Sequence, residues 1–480
     1  MSSKRLILLL DGTWDDQDFG KIDTNVVRLE QILAKSLIPT EHDDEHHETD
    51  HVSSGPTKLV HSFVAGGDRR NYVFYERGVG TGGLDRYTGG IFGEGLDDNV
   101  RNAYKFLSYW YEPGDQIFLF GFSRGAFTAR SLVGFISAAG LLRRETCTAE
   151  NEALAWRYYR TPPEQRLPGV FVQLEPLVHD RDKLQIDCVG VFDTVGALGI
   201  PFSFFDRMNR DAYAFHDVDL SSITKVNLHA LAIDEHRAPF EATIWRKPKF
   251  KQFASRTEQV WFPGAHGDVG GGWIVEEDRE PKKIKALDDI ALDWMLKRVT
   301  RHFDDFPYRP TAWRPAGPQW ASVQQHEARV GPYWLEPFSY RSLSNYPMTG
   351  LGFWERNVSY DRHAEPIGEM VHVSALERLG TRVAVGPKSK IYAPKNLLEV
   401  LHFIEETYVE TKRPTLREIR IVDWSGHDLD PGDDRAAGAE IVAQARSRLK
   451  AAGVGSGATP GQTSPPPFGR ASENTDSTTA

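Results

Sequence analysis

The segment Gln116-Ile117-Phe118-Leu119-Phe120-Gly121-Phe122-Ser123-Arg124-Gly125-Ala126 restricts the possible folds more than any other stretch of this chain. An apolar run of strand character ends at a G-x-S-x-G turn and leads into residues 124–142, where apolar positions recur at helical steps. A serine on so sharp a strand-to-helix turn needs small residues on both sides, because the backbone there is strained and closely packed. Such a turn belongs at the end of a parallel sheet covered by helices, and it requires strands and helices to alternate along the rest of the chain. The competing reading is an ordinary glycine-flanked turn without chemistry.

The alternation is present. Strand-like runs occur at residues 6–10, 72–75, 116–121, 186–192 and 260–262, and helices are predicted at 97–111, 124–142 and 286–302. The expected fold class is α/β: an α/β-hydrolase-like, mainly parallel sheet flanked by helices, with irregular insertions. A last strand-like segment at 419–424 and a charged helix at 434–451 complete a catalytic domain placed at residues 1–452. Within it, residues of about 303–365 turn to Pro, Gly, Trp and Tyr with little periodicity, and are read as an elaboration on the core beside the substrate site. Residues 453–480 are rich in Gly, Ser, Thr and Pro and are expected to be disordered.

A formal net charge of -10 gives no general basic surface, so nucleic acid is not an expected partner. No apolar run reaches the ~18 residues of a membrane span, which leaves at most transient contact with a membrane surface. The run at 6–10 follows Lys4 and Arg5 but is too short for a signal core and ends at Asp11-Gly12-Thr13-Trp14. With only Cys147 and Cys188, the cytoplasm is the expected compartment. Cys188, inside an apolar run, reads as a small buried hydrophobe. His42, His46, His47 and His51 lie among acidic residues without ligand spacing and read as a solvated loop, so neither a metal nor a cofactor is expected. The pattern carries no signature of oligomeric state.

A serine nucleophile needs a base and a carboxylate to orient that base, following it in the order Ser, Asp or Glu, His. Asp193 ends the strand-like run Val189-Gly190-Val191-Phe192 and is the candidate acid; His266, in Phe262-Pro263-Gly264-Ala265-His266-Gly267-Asp268-Val269-Gly270-Gly271-Gly272, is the candidate base. Asp268 competes with Asp193, or forms a turn within its own loop. His372, in Val371-His372-Val373-Ser374, competes with His266. The backbone N–H of Arg124 opens a helix and is a candidate oxyanion donor, joined by Gly12 or Thr13 unless that loop is only a capping turn. The apolar segment 199–205 reads as core or as a lid.

These segments, with Leu8-Leu9-Leu10-Asp11-Gly12-Thr13-Trp14, Tyr75-Glu76-Arg77-Gly78-Val79-Gly80-Thr81 and His372-Val373-Ser374-Ala375-Leu376-Glu377-Arg378, resemble the α/β-hydrolase family that includes phospholipase effectors of bacterial type VI secretion. The resemblance spans about residues 4–378. It implies a Ser123, Asp193, His266 triad and hydrolysis of phospholipid or other lipid esters.

Other readings account for less. An aspartate nucleophile of the haloacid-dehalogenase type would stand two residues before Asp11, where the chain has Leu9. Gly78-Val79-Gly80-Thr81-Gly82-Gly83 matches G-x-G-x-x-G, but no helix follows at once to hold a pyrophosphate, so it reads as a turn. A non-catalytic hydrolase-like scaffold remains the alternative to a serine hydrolase acting on a lipid or small ester.

Overall fold

Leu6-Ile7-Leu8-Leu9-Leu10 has no polar face, so it is stable as a strand only where both sides of a sheet are covered. In the computed structural model it forms β1 (Arg5–Leu10), fully buried. Leu6, Leu8 and Leu10 enter one apolar cluster, and Ile7 and Leu9 enter another on the opposite face. The structure describes residues 3–12, 23–39, 58–64, 70–76, 78, 91–196, 220–246, 256–272, 285–329, 338–343, 355–356, 367–409 and 418–454.

The strands that follow are β2 (Leu37–Pro39), β3 (Lys58–Val64), β4 (Arg70–Glu76), β5 (Gln116–Phe122), β6 (Ile186–Phe192), β7 (Thr224–Ala232), β8 (Arg256–Phe262), β9 (Phe338–Ser339), β10 (Glu355–Arg356), β11 (Glu369–His372), β12 (Arg382–Val385), β13 (Lys388–Ile391) and β14 (Arg420–Val422). Ten of them form one sheet in the order β14-β11-β8-β7-β6-β5-β1-β4-β3-β2. Pairing is parallel from β14 to β4, and β3 and β2 add antiparallel strands at one edge. The chain leaves β1 towards β4 and returns to its other side at β5. Side chains at the carboxyl ends of β5 to β8 therefore gather beside a switch point, where sheets of this kind form their sites.

The helices are α1 (Asn25–Ser36), α2 (Ile91–Trp110), α3 (Arg124–Ala139), α4 (Ala149–Arg160), α5 (Pro168–Leu174), α6 (His266–Gly270), α7 (Asp288–His302), α8 (Val373–Arg378), α9 (Lys395–Tyr408) and α10 (Arg435–Ala451). α1 and α7 cover the face of Ile7 and Leu9, whereas α2, α3 and α4 cover the face of Leu6 and Leu8. α8, α9 and α10 close a third cluster over Trp261, Val371 and Ile421. The described parts of the elaboration begin on the first face: Phe306, Ala316 and Trp320 are buried with α1 and α7. Among the described residues, no helix is long and apolar enough to cross a membrane. The histidine-rich loop, the segment 199–205, Gly80 to Gly83 and residues 455–480 lie outside the described residues.

The sequence reading has no strand at β7, although β7 is central. Lys225, Asn227 and His229 interrupt its apolar pattern, yet Asn227 and His229 are buried and hydrogen-bonded to Thr224, Thr194 and Gln259. β8 is likewise longer than residues 260–262, because its polar half contains the buried Glu258. Arg298 on α7 donates to that carboxylate through Nε at 2.7 Å and Nη2 at 2.5 Å, and through Nη1 to the Gly426 carbonyl. This guanidinium joins sheet, helix and the loop after β14. Arg298→Met leaves Glu258 short of countercharge and should lower stability by about 3 kcal/mol; a urea midpoint equal to wild type would refute that role for the pair.

Candidate active site

At the end of β5 the backbone turns through Ser123, whose φ of 56° lies in the left-handed region rarely adopted by non-glycine residues. The Ser123 N–H donates to the Phe192 carbonyl at 3.0 Å, and α3 begins at the next residue. The flanking glycines are required by close approach. A Cβ at Gly125 would lie 2.1 Å from the Leu10 carbonyl oxygen, and one at Gly121 would lie 2.5 Å from that of Gly125. Gly125 therefore lets the turn pack against the end of β1, and Gly121 lets the turn close on the start of α3.

Asp193 follows the last residue of β6 and also has a positive φ, 42°. β8 ends in the glycine loop that carries His266 at the start of α6. His266 Nε2 lies 2.9 Å from Ser123 Oγ, and His266 Nδ1 lies 2.5 Å from Asp193 Oδ2. Ser123 is 6% exposed and the other two are fully buried. The imidazole packs against the rings of Phe122 and Phe240. A Cβ at Gly270 would fall inside the Phe122 ring at 1.8 Å, so this glycine lets Phe122 pack beneath the histidine.

Charges unseen in the sequence reading surround these three residues. Arg341 donates through Nη1 to Asp193 Oδ1 and through Nη2 to Asp193 Oδ2, and Ala232 N–H donates to Oδ1 at 2.9 Å. Burial pushes the Asp193 carboxyl up, but Arg341 and then His266 outweigh it and hold the group well below the usual carboxylate range. Glu235, just after β7, accepts from Arg237 and from the His266 N–H; burial raises its pKa, but Arg237 brings it down to about 2. Burial also pushes the His266 imidazole below its ordinary range, against the pull of Asp193 and Glu235. A neutral imidazole donating from Nδ1 to Asp193 presents its Nε2 lone pair to the serine hydroxyl.

The other candidates are engaged elsewhere. Asp268 makes a turn in its own loop, accepting from the Ala265 N–H at 2.9 Å, and meets His326 Nδ1 at 2.6 Å. His372 packs between Phe262 and Trp424 and caps α8, where its Nδ1 accepts from the Ser374 N–H at 3.2 Å. The Gly12 N–H donates to Asp11 Oδ1 at 2.7 Å, and Asp11 is further held by Thr24 and Tyr75. Arg124 begins α3 as expected, whereas Thr13 lies outside the described residues. The signal available for Glu235 and Arg237 was positional: Ala232-Ile233-Asp234-Glu235 ends an apolar run with acids, as Phe192-Asp193 does. Arg341 stands in an aperiodic segment that offers no such cue.

A family model described as the catalytic domain of Tle1-like phospholipase effectors of type VI secretion (T6SS) matches residues 4–298. The chain belongs to that family. The Tle1-like region holds Ser123, Asp193 and His266, while His326 and Arg341 lie beyond its end. An uncharacterized protein of Saccharomyces cerevisiae is 29% identical over 248 residues, covering 50% of this chain and 32% of its own length. The match thus spans about a third of that curated relative. Among solved structures, an uncharacterized protein from Pseudomonas aeruginosa has 18% identity and a TM-score of 0.37, over 66% of this chain and 48% of its own. The Tle1 effector bound to the VgrG spike of the type 6 secretion system has 16% identity and a TM-score of 0.28, over 63% of this chain and 61% of its own.

Burial pushes His372 down from 6.5 to about 3. Between those values the unfolded chain holds a proton at this site that the folded chain does not, so the group's contribution to stability is lost as pH falls. His372→Asn keeps a capping acceptor for Ser374 and removes the titrating ring. Measured by urea unfolding between about pH 7 and 5, its stability should fall less steeply than wild type, by up to about 1.4 kcal/mol per pH unit. Parallel curves would show that His372 is not held neutral.

Proposed function

We propose that this chain is a serine hydrolase that cleaves carboxylic esters of phospholipids or related lipids. The observation that carries the proposal is the continuous contact from Ser123 Oγ through His266 to Asp193, with both histidine nitrogens in hydrogen-bond reach. His266 removes the serine proton as Oγ attacks the ester carbonyl, and Asp193 holds the tautomer and stabilises the imidazolium that forms. The proton then passes to the leaving alkoxide, and water releases the acyl group by the same route in reverse. The Arg124 N–H, at the positive end of α3, stabilises the oxyanion. The second donor in this proposal is a backbone N–H of Gly12 or Thr13, with the Gly12 N–H bonded to Asp11 Oδ1 before substrate arrives.

The lipid substrate class is supported by membership of a phospholipase effector family. The catalytic unit is taken to be residues 1–452, since the elaboration and α9 reach the site. Contact with a lipid surface is transient in this reading. The cytoplasmic expectation rests on the shortness of the apolar run at residues 6–10 and on the cysteine count.

A fluorophosphonate probe tests the chemistry without a known substrate. Wild type should be labelled, folded Ser123→Ala should not, and phospholipid hydrolysis should fall about a thousandfold or more in the variant. Labelling of Ser123→Ala at the wild-type rate, or none in folded wild type, would remove the nucleophile and favour a scaffold. Turnover of short-chain esters without phospholipids would retain the mechanism and discard the lipid assignment.

A further inference from the structure

Arg341 is 4% exposed and its guanidinium has specific partners on three elements. Nη1 donates to Asp193 Oδ1 and to the Ala232 carbonyl at 3.0 Å; Nη2 donates to Asp193 Oδ2 at 2.9 Å and to the Phe240 carbonyl at 2.6 Å. It thus clamps the acid at the end of β6, the end of β7, and the residue whose ring covers His266. Its own backbone is held from the other side. Buried Asn396 on α9 donates Nδ2 to the Arg341 carbonyl at 3.2 Å and to the Ile233 carbonyl at 2.9 Å. Both Arg341 and Asn396 lie beyond the family match at residues 4–298.

We infer that Arg341 is a positioning residue for the hydrolytic site: its guanidinium fixes the plane of Asp193 and offsets that carboxylate's charge beside His266, so the chain beyond residue 298 completes the catalytic unit. The inference rests on the serine hydrolase reading. The Asp193 oxygens are filled by Ala232 N–H, both Arg341 nitrogens and His266 Nδ1, which leaves the carboxylate little freedom to rotate. The charged and titratable groups facing the Asp193–His266 pair are Arg341 from the elaboration, Glu235 and Arg237 from the loop after β7, and His229 on β7. Arg130 on α3 bears on the same group through His229. Two carboxylates thus face two guanidiniums around the imidazole. Without Arg341 the carboxylates predominate, the imidazolium is favoured, and the base is lost at a higher pH than in wild type.

The test is the rate of fluorophosphonate labelling against pH in the full chain, with circular dichroism and melting temperature measured alongside. Arg341→Gln keeps donors but removes the charge; its acid limb should move up by about one pH unit, with labelling at neutral pH reduced about tenfold or more. Arg341→Lys keeps the charge but not the fork, so its limb should stay near that of wild type while the rate falls. A merely structural arginine predicts lower melting temperatures with an unmoved limb in both variants, and that result overturns the inference while leaving the serine reading intact. No labelling of folded wild type overturns both. If Arg341→Gln does not fold, Asn396→Ala decides: it retains every charge and should slow labelling several-fold without moving the limb, and an unchanged rate refutes the clamp.

Discussion

An ionised carboxylate without solvent contact is tolerated only when donors replace its lost water, and much of this site's construction follows from that requirement at Asp193. Its partners come from the end of β7, the loop after β8 and the elaboration, segments that meet only when the sheet is complete and its carboxyl edge covered. The order of β5 to β8 in the sheet brings them together. Ser123 N–H bonds the end of β6, Asp193 N–H bonds the Ala230 carbonyl on β7, and Ile233 N–H bonds the end of β8. Ser123 and Asp193 thus stand where the sheet's hydrogen-bond ladder continues one residue past their strands, with His266 on the loop beyond β8.

This explains why some residues were legible in the sequence and others were not. Ser123 and Asp193 each follow an apolar strand directly and His266 stands in the loop beyond another, in settings where glycines mark close backbone approach, so local pattern sufficed to nominate them. β7 lacks that pattern because its polar residues are satisfied by neighbours distant in sequence, and losing β7 also hid Glu235 and Arg237. Arg341 reaches the site from a segment whose conformation is set by tertiary contact. Its bonds to Asp193 span 148 residues, and no local periodicity records a contact of that kind. His372 met the order of the triad as well as His266 did, and Asp268 was a weaker rival to Asp193. What separates them is where their hydrogen bonds go: Asp268 to its own loop and His326, His372 to the cap of α8.

The glycines express the same requirement sterically. Gly125 lets α3 start in contact with the Leu10 carbonyl, Gly270 admits the Phe122 ring, and Gly271, with φ of 84°, leaves no room for a Cβ, which would lie 2.8 Å from the Asn25 nitrogen. Asn25 in turn donates to the Val269 carbonyl, and Thr24 holds the Asp11 carboxylate. The start of α1, the end of β1 and the loop of His266 form one tightly packed floor. The elaboration grips the same loop from above through the His326–Asp268 contact.

In the proposed mechanism, two opposed demands on His266 account for the charges above that floor. A base must be neutral before reaction, which burial favours, yet it must carry a proton partway through, which burial opposes. Carboxylates alone would satisfy the second demand and defeat the first by holding the imidazolium at rest. Pairing each carboxylate with a guanidinium, Asp193 with Arg341 and Glu235 with Arg237, moderates that pull while keeping a negative charge 2.5 Å from Nδ1 where the positive charge develops. Each pair also anchors backbone, Arg341 at Ala232 and Phe240 and Glu235 at the His266 N–H, so the groups that balance the charge also hold the imidazole in place.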